Sequence, residues 1–222
     1  MVRSPFVLAA LLFVIATPAV AQDQDAQLWI SAKASAELRD GVELELETNQ
    51  RFSDDRGGVY ESQYVAALAF TIGSGLTLTG GINRVVGRTN GRVQNTEWRP
   101  RQQISFPIAK LGPGALSGRI RFEQRFRSDD KETGHRVRPE VSYALPLKGE
   151  LEVEFAHESY FNLNGTDFQK AGHERMRNAV RLSHPISKSV DGEVGYMNQY
   201  RFNGGDRDLM EHALTTALSV SF

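Results

Sequence analysis

From about residue 27 to the C-terminus the chain alternates apolar and polar side chains with a period of two. Leu116, Gly118, Ile120, Phe122 and Phe126 alternate with Ser117, Arg119, Arg121, Glu123, Arg125 and Arg127. Leu151, Val153 and Phe155 alternate with Glu150, Glu152 and Glu154, and Val42, Leu44 and Leu46 with Glu43, Glu45 and Glu47. Successive side chains of a strand leave opposite faces, so each segment carries one apolar and one charged face. Eleven such segments are predicted, at about 27–38, 42–52, 59–72, 76–88, 96–108, 115–127, 135–146, 150–161, 173–186, 193–202 and 209–222. The fold class is therefore all-β.

A soluble sandwich alternates too, with its polar face in water, so a soluble periplasmic β-protein stands as one alternative. Two features favour an antiparallel up-and-down transmembrane barrel. The segments run to about 10–13 residues, near the ~9–11 needed to cross a bilayer. The connections also alternate between short and long, as in outer-membrane barrels. The short ones are Gly73-Ser74-Gly75, Lys110 to Gly114, Lys148-Gly149 and Ser187 to Gly192. The long ones are Ser53 to Gly58, Thr89 to Asn95, Ser128 to Gly134, Asn162 to Gly172 and Asn203 to Asp208. Bacterial barrels usually have even strand numbers. The expectation is thus ten strands from 42 to 222, with 27–38 periplasmic or folded inward, and twelve strands as the runner-up.

The first residues read as an export signal. One positive charge at Arg3 precedes an apolar run from Phe6 to Ala16, and Ala19-Val20-Ala21 has the A-x-A cleavage pattern. Residues 1–21 are expected to be removed, leaving 22–222 as a single barrel domain in the outer membrane of a Gram-negative bacterium. With 26 Lys+Arg against 27 Asp+Glu, the chain lacks the basic excess of a nucleic-acid binder. The absence of cysteine excludes a disulfide scaffold, a thiolate metal site and a thiol nucleophile. The five histidines have no metal-binding spacing, and no phosphate-binding loop is present, so neither metal nor cofactor is expected.

In a transmembrane barrel the polar face turns inward, because charge facing lipid costs about 2–4 kcal/mol at the midplane. The predicted lumen carries Glu43, Glu45, Glu47, Arg51, Glu61, Gln63, Glu97, Arg99, Arg101, Gln103, Arg119, Arg121, Glu123 and Arg125. It continues with Arg138, Glu140, Glu150, Glu152, Glu154, Arg175, Arg177 and Arg181. Acidic and basic strands neighbour one another, so cross-strand pairing is expected. Such a lumen is either zipped shut as a structural plug or forms a narrow, charge-selective pore. Trp29, Trp98, Tyr60, Tyr64 and Tyr143 suit membrane-interface anchors, as does a girdle of His157, Ser159, Tyr160 and Phe161.

Three resemblances refine this reading. Thr215, Ala217, Val220 and the terminal Phe222 resemble the C-terminal assembly signal of bacterial outer-membrane proteins, which implies the barrel-assembly machinery as a partner, beside outer-membrane lipid and lipopolysaccharide. His157-x-Ser159 with the later Glu174 resembles the outer-membrane lipid A deacylases. That resemblance implies Ser159 as nucleophile, His157 as base and Glu174 as its partner, an outer-leaflet lipid-modifying enzyme being the alternative to a non-enzymatic barrel. Tyr160 stands where that family usually has Asn. Over nearly the whole mature length, Trp29, the run Glu47-x-x-x-Arg51-Phe52 before an acidic loop, and Gly80-Gly81 resemble a family of small uncharacterised proteobacterial outer-membrane β-barrel proteins, a domain of unknown function. That likeness implies the fold and no activity.

Overall fold

The computed structural model describes residues 23–222, apart from Ser74 and 203–207. The predicted export signal, 1–21, lies outside the described residues, as does most of the predicted loop Asn203 to Asp208. Every predicted segment becomes a strand: β1 (Asp23–Arg39), β2 (Val42–Ser53), β3 (Gly58–Ile72), β4 (Leu76–Thr89), β5 (Arg92–Leu111), β6 (Gly114–Arg127), β7 (Thr133–Pro146), β8 (Glu152–Asn162), β9 (Gly172–Ser187), β10 (Val190–Arg201) and β11 (Leu209–Ser221). Sequential strands pair antiparallel, and β1 closes the sheet on β11 into a barrel.

The expected ten or twelve strands are corrected to eleven. With an odd number, the last strand runs the same way as the first, so the seam is parallel. It runs in unbroken register from Asp23↔Leu209 to Ser35↔Ser221. Residues 27–38 thus belong to the wall. The alternation of β1 suits that place: Gln27 and Trp29 are buried inside, while Ile30 faces out. The two ends of the chain also interlock, since Phe222 donates its N–H to the Ser35 carbonyl at 2.9 Å.

One end of the barrel carries the connections at 40–41, 73–75, 112–113, 147–151 and 188–189, and the other, the loop end, carries those at 54–57, 90–91, 128–132 and the nine-residue loop 163–171. The predicted long loop Thr89 to Asn95 is corrected to a two-residue turn. Asn90 (φ 50°) and Gly91 (φ 72°) both take the left-handed conformation that an Asn-Gly hairpin turn requires, so pairing resumes at once with Thr89↔Arg92. Pro100 and Pro139 lie where pairing lapses between β5 and β6 and between β7 and β8, as expected of residues with no N–H to give.

The polarity of this barrel is inverted relative to a water-soluble core. Ile30, Leu46, Leu68, Ile82, Ile120, Val180, Leu214 and Leu218 are exposed on the outside. Glu97, Arg99, Arg101, Glu123, Arg125, Arg136 and Glu158 are buried inside. Trp98, Tyr64 and Tyr196 add aromatic area to the outer face. Inside the seam quarter, Ala156, Ala179 and Ala213 keep the wall thin and make room for Trp29 and Met197.

The parallel seam can be tested directly, because the chain has no native cysteine. Ala32 and Leu218 are register partners across it. The double variant Ala32→Cys/Leu218→Cys should crosslink within one chain on oxidation or with a short bis-maleimide, giving a faster-migrating band on a denaturing non-reducing gel. Absence of that band, with Ala32→Cys/Thr48→Cys (partners between β1 and β2) crosslinking normally, would place β1 outside the seam.

Candidate functional site: an arginine-lined lumen

The inner face of β1 anchors the site. Gln27 accepts hydrogen bonds from Trp29 Nε1 (2.8 Å) and Tyr60 Oη (2.7 Å), and donates to Asp25 (2.6 Å) and Glu211 (2.8 Å). Ser53 donates to Asp25 at 2.9 Å, which ties β1 to the end of β2. Glu211, fully buried on β11, also receives Arg201 at 2.7 Å and Arg56 at 3.3 Å. The Trp29 ring lies 3.7 Å from the Arg51 guanidinium and 4.8 Å from that of Arg177. Arg51 in turn pairs with Glu61 at 2.5 Å and donates to Asn49 at 3.1 Å. These contacts give the Trp29 and Arg51 elements of the sequence pattern a physical role.

The centre is a continuous carboxylate–guanidinium network over β6 to β9. Glu123 accepts from Arg136 (2.6 Å) and Arg138 (2.7 Å), one on each oxygen. Glu158 receives Arg138 at 2.9 Å and Arg119 at 2.6 Å, and Arg119 also reaches Glu140 at 2.6 Å. Tyr160, only 2% exposed, stands in the middle. The guanidiniums of Arg136, Arg138, Arg175 and Arg177 lie 4.3–5.3 Å from its ring centroid. Aromatic faces attract cations, most strongly where water is excluded, so Tyr160 spaces four like charges that carboxylates alone do not neutralise.

Toward the loop end, Glu97 accepts from both Arg99 and Arg125. Loop 163–171 tucks into this mouth: Gln169 accepts from Arg125 at 3.0 Å, and Phe168 lies under the guanidiniums of Arg125 and Arg127 at 4.8 and 4.9 Å. Asn164 pins the loop to β7 through the His135 N–H (2.8 Å) and the Thr133 carbonyl (2.9 Å). Outside, Arg127 donates to both oxygens of Asp129, which holds that carboxyl below its ordinary range.

Among the described residues, two cavities bear on the lumen. The larger, about 680 Å³, runs from Arg56, Arg127 and Phe168 at the loop end to Glu47, Arg181 and Glu193. A second, about 440 Å³, is lined by Ser105, Ser117 and Ser142. Arg119 and Glu140 line both, and so stand between them. The larger cavity is bordered by fifteen arginines against seven glutamates.

Of the residues predicted for the lumen, Glu47, Arg51, Glu61, Gln63, Glu97, Arg99, Arg101, Arg119, Arg121, Arg125, Arg138, Glu140, Arg175, Arg177 and Arg181 border this cavity. Glu123 is buried behind it, and Gln103 holds Arg121. Glu45 pairs with Lys33 at 2.7 Å, Glu154 pairs with Arg181, and Glu43 sits opposite Glu37 near the turn end. Glu150 and Glu152 are corrected: both are exposed, Glu150 in the 147–151 turn and Glu152 at the first residue of a strand that starts later than expected. Trp29, Tyr60 and Tyr160 are likewise corrected from interface positions to the interior. Arg136, Glu158, Arg201 and Glu211 are the important lumen groups beyond the expected set. Parity with Glu154 already assigns Glu158 and Tyr160 to the inner face.

The outer-face trio is assembled only in part. His157 Nε2 is 3.2 Å from Ser159 Oγ, and its Nδ1 is 2.8 Å from Asn178 Oδ1. Glu174 is not its partner. Pairing slips between Tyr160↔Arg175 and Phe161↔His173, so Glu174 is the extra residue of a bulge. It borders the lumen, bonded to Arg175 and 3.4 Å from Arg136. Among the C-terminal group, Thr215 and Ala217 border the cavity, whereas Phe222 is 82% exposed. Among the described residues no cluster of His, Asp and Glu is arranged to hold a metal ion.

The chain is thus a closed β-barrel with an apolar exterior and an arginine-rich interior. It belongs to the family described as protein of unknown function (DUF2490), which matches residues 26–210. An uncharacterized protein of Methylorubrum extorquens is 29% identical over 232 aligned positions, covering the whole of both chains.

Removing one partner of a buried ion pair leaves an uncompensated charge, at a cost of about 3–5 kcal/mol. Glu123→Ala should therefore lower the unfolding temperature of the folded barrel well below that of Glu152→Ala, measured by a circular-dichroism thermal scan. Equal unfolding temperatures would deny Glu123 its central place.

Proposed function

We propose that this protein is an outer-membrane β-barrel of a Gram-negative bacterium whose lumen is a narrow passage for small anions. The observation that carries the reading is the inverted polarity: apolar residues cover the outside while guanidiniums and carboxylates fill the inside. Such a surface is costly in water and suited to a bilayer, where a closed sheet satisfies every backbone group without a free edge. The export pattern at 1–21, the C-terminal Thr215, Ala217, Val220 and Phe222, and the aromatic contacts of Phe161, His173 and Phe202 on the outer face near the loop end support the same setting. Assembly by the barrel-assembly machinery, and lipid and lipopolysaccharide as surroundings, follow from it.

The lumen is narrow because its network crosses the interior, and selective because arginine predominates at the larger cavity. The Arg119–Glu140 pair between the two cavities is its constriction. A lipid-modifying role is the weaker reading, since the carboxylate expected to orient His157 is held by Arg175 and Arg136 instead.

Two measurements test this. Cell fractionation should find the protein in outer membranes that only detergent dissolves; release by salt or alkali would refute the membrane setting. In planar bilayers the wild type should give small, anion-selective conductance, and Arg119→Ala/Glu140→Ala a several-fold larger one. Silence from both proteins, with folding confirmed, would make the lumen a structural plug.

A further inference from the structure

We propose that the lumen holds a binding site for a doubly charged oxyanion of the phosphate class, centred on Arg101 and Arg121. The inference rests on the lumen being an aqueous, arginine-lined space, and not on where the barrel resides.

The ion pairs inside the barrel do not balance. Among the described residues, Arg88, Arg101 and Arg121 border the larger cavity with no carboxylate within 4 Å, and Glu47 is its one carboxylate with no such cation. Arg88 is farther toward the loop end and donates to Ser62 at 2.7 Å. Arg101 is only 6% exposed, yet among the described residues it makes no hydrogen bond or ion pair, and its Nε is buried without a partner there. Arg121 has a neutral acceptor only, Gln103 Oε1, at 2.9 Å from its Nε and 2.6 Å from its Nη2.

The register explains why these two are left over. Arg101 lies opposite Glu123 across the β5–β6 ladder, but both oxygens of Glu123 are already taken from the other side by Arg136 and Arg138. Arg121 lies opposite Gln103 on one side and Arg138 on the other. Two guanidiniums with no carboxylate in ion-pair range thus border one cavity, beside the already committed Arg138 and Arg119, and Glu47 acts on Arg101 only from beyond that range. Like charges set together inside a protein are unfavourable until an anion joins them. Guanidinium forks match the oxygen geometry of a phosphoryl group, and two of them suit a dianion better than a carboxylate. The cavity leads to the loop end, so a soluble anion reaches the site from that mouth.

Titration of the detergent-folded chain with inorganic phosphate at low ionic strength tests the site. The wild type should show saturable binding to one site, at least tenfold tighter than acetate. Arg101→Ala and Arg121→Ala should each weaken it at least tenfold, and Arg101→Lys should do so by less. Glu47→Gln, which removes the unpaired carboxylate, should tighten it. Arg84→Ala, on the outer face against Trp98, should leave binding unchanged, and heat-dependent gel mobility confirms that each variant is folded. Absent or non-saturable binding, acetate bound as tightly as phosphate, or binding indifferent to both alanine variants would overturn the proposal. Fractionation separates the two claims: a membrane barrel that ignores phosphate defeats only the site, and a phosphate-binding protein outside the membrane defeats only the membrane setting.

Discussion

A guanidinium enclosed by a sheet must find its acceptors within that sheet, and most of this structure follows from that requirement. Burying a charge is expensive unless it is paired and hydrogen-bonded. Here the wall supplies partners in tiers: Glu97 for Arg99 and Arg125, Glu123 for Arg136 and Arg138, Glu158 for Arg138 and Arg119. Each carboxylate joins two arginines, and Arg138 links the Glu123 and Glu158 tiers, so those two interlock across strands. The interior aromatics add to the same logic around arginines that already have carboxylate partners. Tyr160 and Trp29 present ring faces to six guanidinium contacts in all.

Closure obeys this requirement too. An eleven-strand sheet can close only by setting its first strand parallel to its last, a pairing slightly less stable per residue than the antiparallel kind. The deficit is offset by side chains. Asp25, Gln27 and Trp29 connect β1 inward to Ser53, Tyr60, Arg51 and Glu211, which come from β2, β3 and β11. If β1 were withdrawn, Glu211 would lose Gln27, and Trp29 would leave a gap among Ala179, Met197 and Ala213. The first strand is therefore held by what it contributes to the lumen as well as by its two ladders.

Alternation made all eleven strands and most inner-face residues readable, because the period of a strand ties side-chain direction directly to sequence parity. What lay beyond reach were features set by distant partners or broken parity. The seam joins residues nearly the whole chain apart, and the usual even strand number argued against it. Glu174 follows the outer-face parity of Met176, yet a bulge one residue wide turns it inward. Tyr160 was legible by parity with Glu154, but an aromatic near a strand end suits an interface equally well. Only the four arginines around it distinguish the two places. Glu152 failed for the opposite reason, since its parity holds while the strand begins too late to enclose it.

The near-neutral total charge conceals a strong segregation. Asp54, Asp55, Asp129, Glu132 and Asp167 stand exposed around the loop end, while the arginines line the space beneath them. An acidic rim above a basic chamber would oppose the entry of anions if both fields reached equally far. They do not. Rim carboxylates sit in water and are screened within about 8 Å at physiological ionic strength. Lumen guanidiniums are largely buried in the low-dielectric wall around a confined cavity, where the same charge is felt more strongly than in open water. On the proposed reading, the rim would tune the approach of an anion and the chamber would decide whether it stays.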